Sequence, residues 1–115
     1  MEKISFSHNW NNKLHNKAFT TFRLHNPKKY QIGRYYQIEL KGDVLGVAEM
    51  MHISTGRLHK INEYASYLDT GYSPDEMIKI IKTMYKNKNI DWDNQQWGWC
   101  LLRYVNPIKQ EKLDF

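Results

Sequence analysis

Lys17-Ala18-Phe19-Thr20-Thr21-Phe22-Arg23 places a lysine, two hydroxyls and an arginine within seven residues, threaded between apolar side chains. In an extended backbone, successive side chains alternate between faces. Phe19, Thr21 and Arg23 then share one side, and Thr20 and Phe22 the other. A threonine and an arginine on one side of a strand can grip a phosphate or carboxylate. The arginine does so through its fork and the threonine through its hydroxyl.

Outward from this strand, residues 3–7 read as a short opening strand, and residues 9–16 as a short helix with Trp10 and Leu14 one turn apart on its buried face. Pro27 makes residues 25–29 a loop, because it removes a donor and constrains its predecessor. Gly33 marks a turn. Residues 34–41 alternate, with Tyr36, Ile38 and Leu40 facing one way and Tyr35, Gln37 and Glu39 the other. Lys41-Gly42-Asp43 signals a hairpin turn into a long apolar strand over residues 44–53. Two helices are predicted next. The first spans residues 57–68, with Leu58, Ile61, Ala65 and Leu68 on one stripe. The second opens at Ser73-Pro74-Asp75-Glu76, with serine as N-cap, proline at the first position and glutamate at the third. Met77, Ile80, Ile81 and Met84 follow at helical spacing and are expected to pack inward. Residues 86–96 are polar and irregular, and residues 97–105 read as a final buried strand. The order predicts one α+β domain over residues 1–105, built around a small, curved, mostly antiparallel sheet or barrel with flanking helices. Residues 106–115 read as a C-terminal tail.

A chain of 115 residues can bury roughly two-thirds of its unfolded surface without staples. The net charge of +5 favours anionic partners: nucleic acid, nucleotides or anionic lipid. The single cysteine, Cys100, excludes an internal disulfide framework and fits a reducing, cytoplasmic setting. No apolar run suggests a signal peptide, and none approaches the roughly 18 residues of a membrane span, so no membrane partner is expected. The five histidines show no metal-ligand spacing, and no glycine-rich phosphate loop or nucleophile elbow is present. Neither a metal nor a cofactor is therefore expected.

Glu49 falls in the strand over residues 44–53 on the parity set Leu45, Val47, Glu49, Met51 and Ile53. Its apolar companions predict a core-facing carboxylate, which needs a cation or a cleft. Arg23 and Lys17 are the expected partners; the alternatives are a structural ion pair, or a bulge at Gly46 that turns Glu49 outward. Asp69, in Leu68-Asp69-Thr70-Gly71, either caps a turn through its own side chain or presents a second carboxylate at a cleft mouth. Lys28, Lys29, Tyr30, Arg34, Tyr35 and Tyr36 interleave cations with tyrosines. Cations neutralise phosphates and aromatic faces stack on bases.

The segment from Phe19 to Arg23 resembles the signature of ASCH domains, part of the PUA-like superfamily. In that family a lysine, threonines and an arginine lie near the end of the first helix, at the mouth of a β-barrel. Tyr30-Gln31-Ile32-Gly33 is similar to its glycine turn, Gly46-Val47-Ala48-Glu49 to the strand that follows, and the two helices to its helical insertion. The resemblance implies a small PUA-like curved β-barrel with a cleft that recognises RNA or a nucleotide-type ligand. Some relatives are enzymes. One bacterial group hydrolyses acetylated cytidine with a lysine, a threonine and an acid. Two registers of the signature fit this chain: one matches Thr21 and Arg23 and puts Ala18 at the lysine position, the other matches Lys17 and Thr20 and leaves Arg23 one place late. The family's acid falls at Leu68 or Asp69.

The expectation is thus a basic cleft for RNA or a nucleotide, with Arg23, Thr20 and Thr21 on the ligand, Lys17 at the cleft edge, Tyr30, Tyr35 and Tyr36 as stacking surfaces, and Lys28, Lys29 and Arg34 on the backbone. An alternative is a nucleoside amidohydrolase acting on N4-acylated cytidine. There Lys17 would activate Thr20 or Thr21, while Glu49 or Asp69 shuttles protons. A further alternative is a protein–protein module anchored on Trp92 or Trp97. The sequence leaves the oligomeric state open.

Overall fold

The computed structural model of the protein describes residues 1–105; the expected tail lies outside the described residues. Five strands form one sheet: β1 (Lys3–Phe6), β2 (Ala18–Leu24), β3 (Tyr35–Leu40), β4 (Asp43–Arg57) and β5 (Gln96–Tyr104), in the order β1-β3-β4-β5-β2. β1 runs parallel to β3, and the other pairings are antiparallel. The sheet curls into a half-barrel, so its two edges, β1 and β2, approach one another. The Phe6 and Phe19 rings meet edge to face at 6.0 Å across that seam. An Arg23 guanidinium nitrogen of β2 donates to the Ser5 carbonyl of β1 at 3.0 Å.

The concave side is filled by Ile4, Phe6, Leu14, Phe19, Tyr36, Ile38, Ala48, Met50, Cys100 and Leu102. The convex side carries Phe22, Leu24 and Trp97, which pack with Leu58 against α1 (Glu63–Thr70) and α2 (Pro74–Met84) through Ile61, Met77, Ile78 and Ile81. The expected alternation in β2 therefore separates two cores: Phe19, Thr21 and Arg23 look into the barrel, and Thr20 and Phe22 look toward the helices. No helix among the described residues is long and apolar enough to cross a membrane.

Several local expectations hold for local reasons. Ser73 and Glu76 close a capping box around Pro74. The β3–β4 turn places Lys41 and Gly42 at positive φ, 52° and 87°, as a tight hairpin requires. In α2, Met77 and Ile81 are buried as predicted, whereas Met84 is exposed and Tyr85 takes its place in the packing. The first helix differs more. β4 continues to Arg57, and a 3₁₀ turn, Leu58–Lys60, intervenes. The helix begins only where Asn62 Oδ1 accepts the Ala65 amide at 2.7 Å. Starting later rotates the stripe: Ala65, Ser66, Asp69 and Thr70 are buried, and Leu68 is 61% exposed. Gly71 at φ 81° ends the helix in the left-handed conformation.

Glu49 does not face the core. β4 gains an extra residue at Leu45, where its register with β3 jumps from Ile38↔Gly46 to Glu39↔Val44. It gains another at Met51, where its register with β5 jumps from Met50↔Leu102 to His52↔Leu101. Each bulge reverses the inward parity. Leu45 and Ile53 at the ends of the expected set do pack on the barrel core, but between the bulges Ala48 and Met50 point inward instead. Glu49 lies on the outer face opposite Arg103, 3.7 Å from its guanidinium.

Candidate functional site

The seam between β1 and β2 opens into a cleft of about 90 Å³. Ser5, Phe6, Ser7 and His8 form one wall, Thr21, Phe22 and Arg23 another, and Met77, Ile80, Ile81, Met84 and Tyr85 along α2 the third. Trp10, Lys13, Asp69 and Thr70 complete it.

At the cleft's polar end lies a lysine the signature does not point to. Lys13 sits in the 3₁₀ segment Trp10–His15, in which Asn11 and Asn12 adopt left-handed φ values of 56° and 52°. Asparagine tolerates that region better than most residues. The double left-handed step buries Lys13 and Leu14 together. Asn9 Oδ1 accepts the Leu14 amide at 2.9 Å, Tyr104 donates its hydroxyl hydrogen to the Leu14 carbonyl at 2.9 Å, and Asn11 reaches the Tyr67 carbonyl of α1 at 3.3 Å. So held, Lys13 Nζ donates to Asp69 Oδ1 at 2.8 Å, and Thr20 Oγ1 donates to the same oxygen at 2.9 Å. Lys13 and Asp69 are only 3% and 4% exposed. Asp69 Oδ2 has no hydrogen-bond donor among the described residues.

Burial sets the electrostatics. It raises the Asp69 carboxyl above its ordinary value, against the opposing pull of the Lys13 ammonium and the Thr20 hydroxyl. It lowers the Lys13 amine, against the pull of Asp69. Both groups are drawn toward neutrality, because removal from water disfavours charge. Arg23 shares the Phe6 ring with Lys13, whose Nζ lies 5.4 Å from the ring centroid. Its Nε donates to Thr21 Oγ1 at 3.0 Å, its Nη2 to the Ser5 carbonyl, and its guanidinium lies 4.5 Å from the Phe6 ring centroid. Nη1 has no acceptor among the described residues. Arg23 is thereby fixed in orientation with donor capacity to spare.

Beyond Arg23 the cleft passes into an open groove of about 690 Å³ lined by Met1, Glu2, Lys3, Ser5, Arg23, Lys29 and Arg34. Four cations thus face one carboxylate there, although Lys3 also pairs with Glu39 at 3.3 Å. Arg34 donates to the Lys28 and Lys29 carbonyls at 3.0 and 3.2 Å, which fixes the loop that carries Lys29.

The structure thus gathers Thr21, Arg23 and Asp69 around one hollow, with Thr20 behind it on Asp69, and Lys29 and Arg34 beside it. Lys17 is exposed just before β2 and lines neither the cleft nor the groove, whereas the buried Lys13, four residues earlier, lines the cleft. Glu49 is remote, on the outer face. Lys28 is exposed outside the groove. Of the three tyrosines expected to stack, only Tyr35 is exposed. Tyr36 is fully buried, donates to the Lys29 carbonyl at 2.6 Å and accepts the Gln31 amide at 2.9 Å, so it organises the loop rather than a ligand. Tyr30 is half-buried against Tyr36. Trp97 is buried and Trp92 stacks on it at 6.0 Å, so neither stands out as a free anchor for a protein partner. His8 and Lys13 escape the sequence reading, and Trp10 enters it only as a buried helix residue. The left-handed Asn11 and Asn12 break the helical spacing between Trp10 and Lys13, so no local pattern signals the burial of Lys13.

Neither a family model nor a curated protein sequence matches this chain. Among solved structures, a protein from Enterococcus faecalis V583 assigned to the family model DUF984 aligns with a TM-score of 0.63 at 10% identity, over 83% of this chain and 68% of its own. At that identity the likeness shows the fold alone.

Proposed function

We propose that the protein is an ASCH-like domain that binds RNA or a related nucleotide-type ligand in the seam cleft. The observation that carries this reading is the placement of Arg23. It is braced by Thr21 and Ser5, keeps a free donor, and separates a small enclosed hollow from an open cationic groove. A nucleotide has the matching division, with a flat heterocycle for the hollow and a phosphate for the guanidinium.

The test is binding of a labelled short single-stranded RNA by fluorescence anisotropy at several salt concentrations. Arg23→Ala is expected to weaken binding roughly ten- to a hundredfold, the value of one charge-assisted hydrogen-bonding group. Affinity is expected to fall with salt, with a log–log slope of about −0.7 for each phosphate engaged. A dissociation constant indifferent to both the substitution and the salt refutes the reading.

A second reading has its own observation. Lys13, Thr20 and Asp69 are a lysine, a threonine and an acid joined through a single carboxylate oxygen, the residue types that the ASCH resemblance ties to amidohydrolysis. In that reading Lys13 replaces Lys17, and Asp69 rather than Glu49 is the acid. Incubation with N4-acetylcytidine is then expected to release cytidine, and Thr20→Val to abolish the release. Intact substrate after prolonged incubation with the unmodified protein removes this reading and leaves the binding one standing.

A further inference from the structure

On the side of the cleft away from Arg23 lies a second open groove of about 400 Å³, lined by His8, Asn9, Trp10, Asn11, Thr70, Gly71 and Tyr72. It shares His8, Trp10 and Thr70 with the cleft, just as the cationic groove shares Ser5 and Arg23 with it. The three hollows therefore run in series: an aromatic shelf, the enclosed cleft, and the cationic groove. The shelf's rings are arranged for contact. Trp10 lies 5.0 Å from His8 at 63° and 6.1 Å from Tyr72 at 74°. Trp10 and Tyr72 thus form a corner in which a flat ring can lie on one face and meet the other edge-on. Tyr72 is 41% exposed, and its backbone is already employed, its carbonyl accepting the Ser66 hydroxyl at 2.7 Å. The close approach of Gly71 to Asn11 fixes the corner: a Cβ at Gly71 would meet Asn11 Oδ1 at 3.3 Å.

From this series we infer that the ligand is a single-stranded nucleic acid spanning more than one nucleotide, with a neighbouring base stacked on the Trp10–Tyr72 corner. The inference rests on the nucleotide reading of the cleft and adds a subsite to it. A strand supplies what each hollow lacks alone: a stacked base for the shelf, a second base for the cleft, and consecutive phosphates for Arg23, Lys29 and Arg34. A duplex keeps its bases paired and stacked on each other, and cannot offer one to a corner of this kind.

The experiment compares a mononucleotide with mixed-sequence single-stranded RNAs of increasing length and a duplex of matching sequence, using the unmodified protein, Tyr72→Ala, Trp10→Ala and Trp10→Phe. Affinity is expected to rise from the mononucleotide to a short strand and to be lower for the duplex. Tyr72→Ala is expected to weaken strand binding roughly five- to a hundredfold, the effect of losing one stacked base. It is expected to leave mononucleotide binding unchanged, because Tyr72 does not line the cleft. Trp10→Phe keeps most of the strand affinity that Trp10→Ala loses. A mononucleotide that binds as well as any strand, strands indifferent to Tyr72→Ala, or a preference for duplex overturns the shelf while sparing the cleft. No binding of any of these probes overturns both.

Discussion

Replacing Lys13 by alanine is expected to lower the unfolding free energy by about 3–5 kcal/mol at neutral pH, the cost of leaving one member of a buried ion pair behind. The corresponding drop in melting temperature is roughly 10–20 °C for a domain of this size. The cause is the Asp69 carboxylate. It is almost sealed from water and would retain only the Thr20 hydroxyl as a partner. Removing both charges tells a different story. Lys13→Met combined with Asp69→Leu is expected to recover most of the loss, because packed apolar groups replace a buried pair at little or no net cost.

The loss also depends on pH. Burial raises the Asp69 carboxyl above 3.8, and Lys13 is the largest influence working against that rise. Without Lys13 the carboxyl rises further. A carboxyl raised on folding holds its proton more readily in the folded chain than in the unfolded one. Its contribution is therefore harmless below the unfolded value and becomes destabilising as pH climbs through the window up to the folded value. The penalty of Lys13→Ala should accordingly shrink as the solution is acidified below neutrality. Urea midpoints measured across that range provide the check. A variant within about 1 kcal/mol of the parent at neutral pH contradicts the pairing, and a penalty that does not change with pH contradicts the charge on Asp69.

The Lys13–Asp69 pair also marks the limit of what the chain discloses locally. Ser73-Pro74-Asp75-Glu76 announces its helix because every atom of a capping box lies within one turn. The alternation of Tyr36, Ile38 and Leu40 announces β3 because the extra residue of its bulge with β4 lies in β4 and leaves β3's own alternation unbroken. Lys13 meets an acid 56 residues away, and no pattern around either residue encodes that encounter. Lys17 has the signature's spacing and Lys13 lines the cleft, because two left-handed asparagines, rather than a regular helix, set which side chain turns inward.

Glu49 turns outward, as the alternative of a bulge at Gly46 allowed, for a complementary reason. Its parity is lawful for an unbroken strand, but β4 pairs with different partners on its two sides and absorbs an extra residue against each. Bulges follow from how three strands curve together, and Gly46 is the only nearby residue that hints at one. The two-sided character of Phe19-Thr20-Thr21-Phe22-Arg23 is legible because β2 pairs with β5 without a register shift from Ala18 to Leu24. That regularity sends Thr20 to Asp69 on one face and aligns Thr21 with Arg23 on the other.

Trp97 carries the second large effect, and its loss should be felt in the cleft it does not touch. It is 1% exposed, stacks on Trp92, meets the Tyr85 ring edge-on at 5.2 Å, and packs with Leu58, Met77 and Ile81. Trp97→Ala is expected to cost about 3–5 kcal/mol, the range for emptying an aromatic site in a core. Trp97→Phe should cost far less than the lost volume implies. The indole Nε1 is buried without a hydrogen-bond partner among the described residues, and removing such a group returns about 1–3 kcal/mol of desolvation. Met77 and Ile81 lie at once in this cluster and in the wall of the seam cleft. A void behind them should loosen α2 first, while β3 and β4, packed around the separate barrel core of Tyr36, Ile38 and Met50, keep their order. Hydrogen exchange on Trp97→Ala is therefore expected to show α2 amides losing protection ahead of those in β3 and β4. Uniform loss across both would mean that the two cores unfold as one, and that the cleft's third wall is no softer than its other two.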